Sequence, residues 1–168
     1  ESFKNFTVVP SAESGAHERI RFGLLAIKNV GVNVIEAIIE ERKKSGPFQS
    51  LADFLERVNH KDLNKKSLES LAKCGALDKL AERNDVLENI ETLLQFTRQF
   101  SANNSNGQSS LFASQPKAIA ATLKLKPTTM ADNQEKLQWE KELLGLYISD
   151  HPFRAYENLV RSKNIPPL

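Results

Sequence analysis

The sequence predicts a mainly all-α fold with a short N-terminal β-hairpin, and three observations predict it. Apolar residues return at spacings of three and four along successive stretches, as they do on the buried face of a helix. Capping residues stand before these stretches, and Gly or Pro stands after them. Hydrophobic residues make up 40% and charged residues 26% of the 168. That is enough apolar side chain for one domain with appendages, or for two small units.

The elements follow in order. Phe3 to Val9 and Ile20 to Phe22 are β-prone pieces on either side of the polar stretch SAESGAHE, which suits a small hairpin. Ile35, Ile38 and Ile39 then share one face of a helix from about Asn33 to Lys44, stopped by Ser45-Gly46-Pro47 because Gly suits a C-cap and Pro cannot continue a helix. Ser50 with Asp53 forms an N-terminal cap for Leu51, Phe54, Leu55 and Val58. Asn64 caps a third helix carrying Leu68, Leu71 and Ala72, with Gly75 as its terminator. Asn84 opens a fourth with Leu87, Ile90, Leu93 and Leu94. After Phe100 the run SANNSNGQSS has the composition of a flexible linker, and residues 113–131 give no clear pattern. Asp132 with Glu135 starts a helix bearing Leu137, Leu143, Leu144 and Tyr147, which breaks at Ser149-Asp150-His151-Pro152. A last short helix runs from Phe153 to about Arg161, with Pro152 at its first position.

Composition excludes several classes. Lys and Arg number 23 against 21 Asp and Glu, a formal net charge of +2, too mild to predict nucleic-acid binding except through local clusters. The lone Cys74 rules out an internal disulfide framework and fits a reducing, cytoplasmic compartment. No signal peptide and no membrane-spanning run is present, so no membrane partner is expected. Opening on Glu1 without an initiator Met and stopping at Pro166-Pro167-Leu168, the chain reads as a piece of a larger protein.

The stretch LLAIKNVGVNVIEAII (24–39) carries more than periodicity. An apolar segment ends at Ile27, the tight turn Lys28-Asn29-Val30-Gly31 follows, and a helix begins within two residues, at about Asn33. This is the layout of a helix-hairpin-helix. Its turn needs residues that tolerate φ > 0; Gly31 is ideal and Asn29 the next best. Val30 points into the helix pair as a buried plug. The backbone N–H groups of the turn and of the helix start then face outward, where a phosphate, the helix dipole and Lys28 meet. Nothing in the motif reads a base edge, so binding is expected to be independent of sequence and sensitive to salt. A second turn, Lys73-Cys74-Gly75-Ala76, follows a helix opened by Lys65-Lys66 and is the candidate pseudo-symmetric partner. Lys65, Lys66, Lys73 and Arg83 would flank the same phosphate track. The bland alternative is a plain interhelical turn with solvated lysines.

Four blocks carry a resemblance: IRFGLLAIKNVG (20–31), GPFQSLADFLERV (46–58), LNKKSLESLAKCGALD (63–78) and EKELLGLYISDHPF (140–153). In order and spacing they resemble the C-terminal region of the α subunit family of bacterial DNA polymerase III, and they span most of the chain. The resemblance implies that residues 1–22 end a fingers region with short strands and that 23–100 form a tandem helix-hairpin-helix DNA-binding domain. Residues 101–131 then form a linker, and 132–168 form helices leading toward an OB-fold that lies beyond Leu168. Asn29 departs from the family's pattern, since hairpin turns of this kind often have Gly there, and Cys74-Gly75-Ala76 is a loose fit to a second turn.

The same resemblance gives a meaning to Gln108-Ser109-Ser110-Leu111-Phe112. The family carries an internal Gln-x-x-Leu-Phe tether to the β sliding clamp at this place. Leu111 and Phe112 entering an apolar pocket gain roughly 3–6 kcal/mol, part of which is lost in ordering the linker, while DNA held by the hairpins adds avidity. The alternative is that Leu111 and Phe112 pack back onto the helices as a local anchor. The implied partners are duplex DNA, the sliding clamp and, through the parent, other replisome subunits.

Polymerase catalysis needs clustered carboxylates around two metal ions, and no such cluster is written in these residues. His17, His60 and His151 share no ligand spacing with Cys74. Asp150-His151 reads as a helix start before Pro152, and Trp139 as core packing. The chain is therefore expected to be catalytically inert and to need no cofactor. The parent implied by the resemblance is a Mg-dependent DNA-directed DNA polymerase whose processive synthesis this region supports. Two rivals stand beside that reading: a structural module packing within the polymerase without touching DNA, and a hairpin domain from a repair or recombination protein, against which EKELLGLYISDHPF argues.

Overall fold

The computed structural model describes residues 2–10, 18–105 and 123–156. Within them lie six α-helices and a two-stranded antiparallel hairpin, the mainly helical fold that the sequence predicts. Strand β1 (Thr7–Val9) pairs with β2 (Arg19–Arg21), Val8 facing Ile20. The hairpin is pinned to the helical block where Leu24 N–H donates to Phe3 O at 2.9 Å and Leu25 N–H to Lys4 O at 3.0 Å. Gly23 permits that approach: a Cβ there would lie 2.5 Å from the backbone of Asn5 and Phe6.

A 3-10 turn (Leu24–Ala26) leads through residues 27–31 into α1 (Val32–Ser45), which buries Val34, Ile35 and Ile38 and ends at Gly46 with φ 75. Helix α2 (Leu51–Arg57) is capped by Ser50, whose hydroxyl accepts the Asp53 N–H at 3.1 Å. Arg57 closes the α1–α2 corner. Its guanidinium donates to Glu41 O at 2.6 Å and Gly46 O at 2.9 Å and lies 4.3 Å from the Phe48 ring centre. Helix α3 (Lys65–Lys73) opens with a reciprocal box, Asn64 accepting from Ser67 N–H and Ser67 Oγ accepting from Asn64 N–H.

Here the structure corrects the expected fourth helix. Rather than one helix from Asn84, α4 (Arg83–Glu88) begins after a Glu82 cap, and α5 (Ile90–Ser105) starts anew after Asn89. The cause is Asn89 itself. Its buried side-chain amide takes the Asp85 carbonyl at 2.8 Å, which a continuous helix would give to the Asn89 N–H, and also bonds the extended strap 123–131, donating to Lys126 O at 3.0 Å and accepting from Lys126 N–H at 2.9 Å. Asp85 Oδ1 takes the Thr128 N–H at 2.8 Å, Glu82 Oε1 takes the Ala131 N–H at 3.0 Å, and Asn84 donates to Thr129 O at 2.9 Å. Helix α5 also runs past Phe100 to Ser105, into the start of the expected linker, where neither Gly nor Pro interrupts it.

The strap delivers the chain to α6 (Asn133–Leu144), opened by the Asp132–Glu135 box and stopped by Gly145 at φ 78. The helix thus ends earlier than the expected break at Ser149, because Gly145 takes the left-handed C-cap conformation. A 3-10 helix follows at Pro152–Tyr156. The core gathers Phe54, Ile35, Leu55, Leu68, Leu71 and Leu93, and α6 joins it through Leu143.

Candidate nucleic-acid interface

The turn at 28–31 is the centre of the candidate site. Asn29 takes φ 65, the single non-Gly residue at positive φ among those described, so the demand the motif makes on its turn falls on Asn29. Gly31 was the first choice for that conformation, but it sits at φ −68, ψ 151 as the N-cap of α1. The surroundings of Gly31 are open: nothing lies within 4 Å of where a Cβ would stand. Val30 is buried against the core, as a plug should be.

The start of α1 is bare. Its cap makes no side-chain hydrogen bond and its first turn holds no acidic residue. Among the described residues no acceptor takes the N–H of Asn29, Gly31, Val32 or Asn33, whereas Lys28 N–H donates to Leu143 O at 3.1 Å and Val30 N–H to Ile27 O at 3.4 Å. Two of the turn's donors are thus used internally, and the helix start keeps the rest. A free helix start with its dipole unneutralised is suited to an anion. Asn33, expected to join the site, keeps its backbone N–H at the helix start while its side chain donates to Asp62 at 2.8 Å.

The lysines sort by their partners. Lys28 and Lys66 are exposed. Asn29 Nδ2 donates to Ser70 Oγ at 3.4 Å, and Lys66 lies four residues before Ser70 on α3, Lys73 three after. Helical spacing therefore puts both lysines on the α3 face that meets the turn. Lys73 Nζ rests 5.9 Å from the Trp139 ring centre. Lys65 is held by Glu91 at 3.0 Å, and that bond raises its pKa. Sequence reasoning missed two residues of this neighbourhood: Ser70, and the exposed Lys61 beside Asp62. No local signal marked either.

The second turn is built differently. Gly75 takes φ 79, yet Gly75 N–H donates to Ala72 O and Ala76 N–H to Leu71 O, both at 3.0 Å. This is a closed Schellman cap whose donors are used within the helix end. Gly75 is also crowded: a Cβ would lie 2.5 Å from Arg83 Nη2 and 2.9 Å from Asp78 Oδ2. Arg83 does not flank an open track but is buried, donating to Lys73 O at 2.9 Å, Asp78 Oδ2 at 2.9 Å and Glu140 Oε1 at 3.0 Å. Burial works against its charge, and the bonds to Asp78 and Glu140 outweigh burial and raise its pKa. Glu140 is opposed by burial in the same way, yet the N–H groups of Ser149 and Ile148, with Arg83, hold it below the ordinary carboxylate range. Burial pushes the Cys74 thiol up to about 11, which leaves it unreactive.

The peptide Gln108, Ser109, Ser110, Leu111, Phe112 lies outside the described residues. Among those described, no group of three His, Cys, Asp or Glu is placed to hold a metal ion, and no helix is long and apolar enough to cross a membrane. Trp139 is half-buried on α6.

A family model described as a helix-hairpin-helix motif matches residues 1–87. The chain is 42% identical over 144 residues to a DNA polymerase III subunit alpha of Thermus aquaticus, a match covering 84% of this chain and 11% of that protein. It is also 42% identical over 147 residues to the same subunit of Deinococcus radiodurans, covering 86% and 11%, and 37% identical over 164 residues to that of Borreliella burgdorferi, covering 96% and 14%. The chain thus spans about one ninth of the length of the first two relatives. It belongs to the helix-hairpin-helix motif family, in the form carried within DNA polymerase III α subunits.

Proposed function

We propose that this chain is the non-catalytic DNA-gripping part of a replicative DNA polymerase. It holds duplex backbone at the turn 28–31 without reading sequence. The observation that carries this is the bare start of α1, where Asn29 at φ 65 turns the chain into an uncapped helix and the space around Gly31 is open. Lys28, Lys66, Lys73 and Lys61 supply charge around it; Lys65 and Gly75 serve the neighbouring α3. The parent's nucleotidyl transfer, with its Mg ions, belongs to residues elsewhere in the longer protein. Duplex binding measured by anisotropy across a salt series tests the reading: a negative slope of log affinity against log salt, equal for unrelated sequences, is expected. A chain that shows no duplex affinity at low salt would instead be a packing module.

The second half of the proposal is attachment to a β sliding clamp through residues 108–112, supported by the pattern Gln-x-x-Leu-Phe in a polar stretch. Two adjacent large apolar side chains suit insertion into a preformed pocket, with Gln108 fixing register. Titrating the labelled chain with clamp should broaden signals at 106–113. A Leu111→Ala/Phe112→Ala chain should not respond.

A further inference from the structure

We propose that Glu140 is a positioning residue for the phosphate-holding turn, acting from α6 through Leu143. The inference rests on the reading of 28–31 as a DNA grip. Glu140 is 1% exposed and uses both carboxylate oxygens. Oε1 accepts from Arg83 Nη2 at 3.0 Å; Oε2 accepts from Ile148 N–H at 2.7 Å and from Ser149 N–H at 3.0 Å. One side chain therefore fastens α6 to Arg83 and folds the chain after Gly145 back on the helix.

Three residues further along α6, on the same face, Leu143 is buried, and its carbonyl accepts the Lys28 N–H at 3.1 Å. That bond fixes the first residue of the turn. Ser70 on α3 fixes the second, through Asn29. Arg83 links the two supports, since it also donates to Lys73 O at the end of α3. The turn is thus seated between α3 and α6, and its shape depends on a helix more than a hundred residues away in sequence. The grip is completed by the block after the 106–122 segment.

Glu140→Gln is the sharp variant. A carboxamide has one oxygen, so either Arg83 or the Ile148 and Ser149 N–H pair must face an NH2 group. Hydrogen exchange of the full chain, read by NMR, is the measurement, together with duplex affinity at fixed salt. Exchange of the Lys28 amide should accelerate while the Val58 amide, which donates to Phe54 O at the C-cap of α2, stays protected, and duplex affinity should fall about tenfold with no contact to DNA removed. Leu51→Ala is the control for lost stability alone and should leave the Lys28-to-Val58 exchange ratio unchanged. If Glu140→Gln fails to fold, Glu140→Asp, which keeps the charge but shortens the reach, is read the same way.

An unchanged Lys28 exchange rate overturns the inference. So does accelerated exchange with unaltered affinity in a chain that binds duplex. If the native chain binds no duplex, the proposed function falls, and the exchange result alone decides whether Glu140 positions the turn.

Discussion

Asn29 and Ser70 join the turn at 28–31 to α3: the Asn29 amide donates to the Ser70 hydroxyl at 3.4 Å, and Asn29 is held at φ 65. An Asn in a place that favours glycine thus has a partner that glycine would lack. The bond and the backbone strain act in opposite directions, and substitutions separate them.

Asn29→Ala keeps the strain and loses the bond. It should destabilise the chain by about 2 kcal/mol, the left-handed penalty plus one hydrogen bond. Asn29→Gly removes both and should fall within about 1 kcal/mol of the native chain. Urea unfolding of the pair gives the comparison.

Gly31→Asp should divide stability from binding. At φ −68, ψ 151 the residue has cap geometry with open space around it, so an Asp carboxylate there can accept from the first turn of α1 and add about 0.3 kcal/mol to stability. The same carboxylate occupies the anion position and should weaken duplex binding about tenfold or more. Melting temperature and anisotropy on one preparation check both. A variant that is more stable and still binds fully would place the DNA elsewhere.

Gly75→Ala meets both a positive φ of 79 and the Arg83 guanidinium at 2.5 Å. It should cost about 2 kcal/mol or more. Below the melting transition the salt slope of duplex binding should not change. A reduced slope at unchanged stability would mean that the turn at 73–76 itself holds phosphate.

Acid should loosen α6. Burial raises the Glu140 pKa, but the Ser149 and Ile148 N–H groups and Arg83 outweigh it, so the folded value is lowered. The stability this group contributes is fully present above about pH 4.5, the ordinary carboxylate value, and is lost as pH falls through the lowered folded value. Glu140→Gln should cost about 3 kcal/mol at pH 7 and show a flatter decline toward pH 3 than the native chain, by urea unfolding at each pH.

Much of this was legible in the sequence, because local chemistry fixed it. Ser50, Asn64 and Asp132 cap the helices expected of them, since each cap bonds an N–H within three residues. Val30 is buried, as the spacing of 27–33 demands, whereas the left-handed conformation falls on Asn29, the second choice, and not on Gly31. What escaped depends on partners far along the chain. Arg83 read as a phosphate-track cation, and its pairing with Glu140, 57 residues on, turned it inward. Asn89 read as an ordinary helix position until Lys126 claimed its amide. The Lys28–Leu143 bond joins two backbones, and no side-chain pattern records it.

The strap along α4 has a consequence of its own for substitution. Glu82, Asp85 and Asn89 recognise peptide N–H groups at residues 131, 128 and 126, and Asn89 and Asn84 recognise carbonyls at 126 and 129. Apart from the Thr128 hydroxyl, which also meets Asp85 at 2.8 Å, and from Leu123, Leu125 and the buried Ala131, whose side chains are enclosed, the contact is made to backbone and is indifferent to side-chain identity. Positions 126, 129 and 130 are therefore open to almost any residue, whereas proline, which has no N–H to give, is barred from 126, 128 and 131. Pro127 stands at the position between two donors where no N–H is asked for. A deep substitution scan of the strap should return proline as its sharpest prohibition, in a pattern that skips 127.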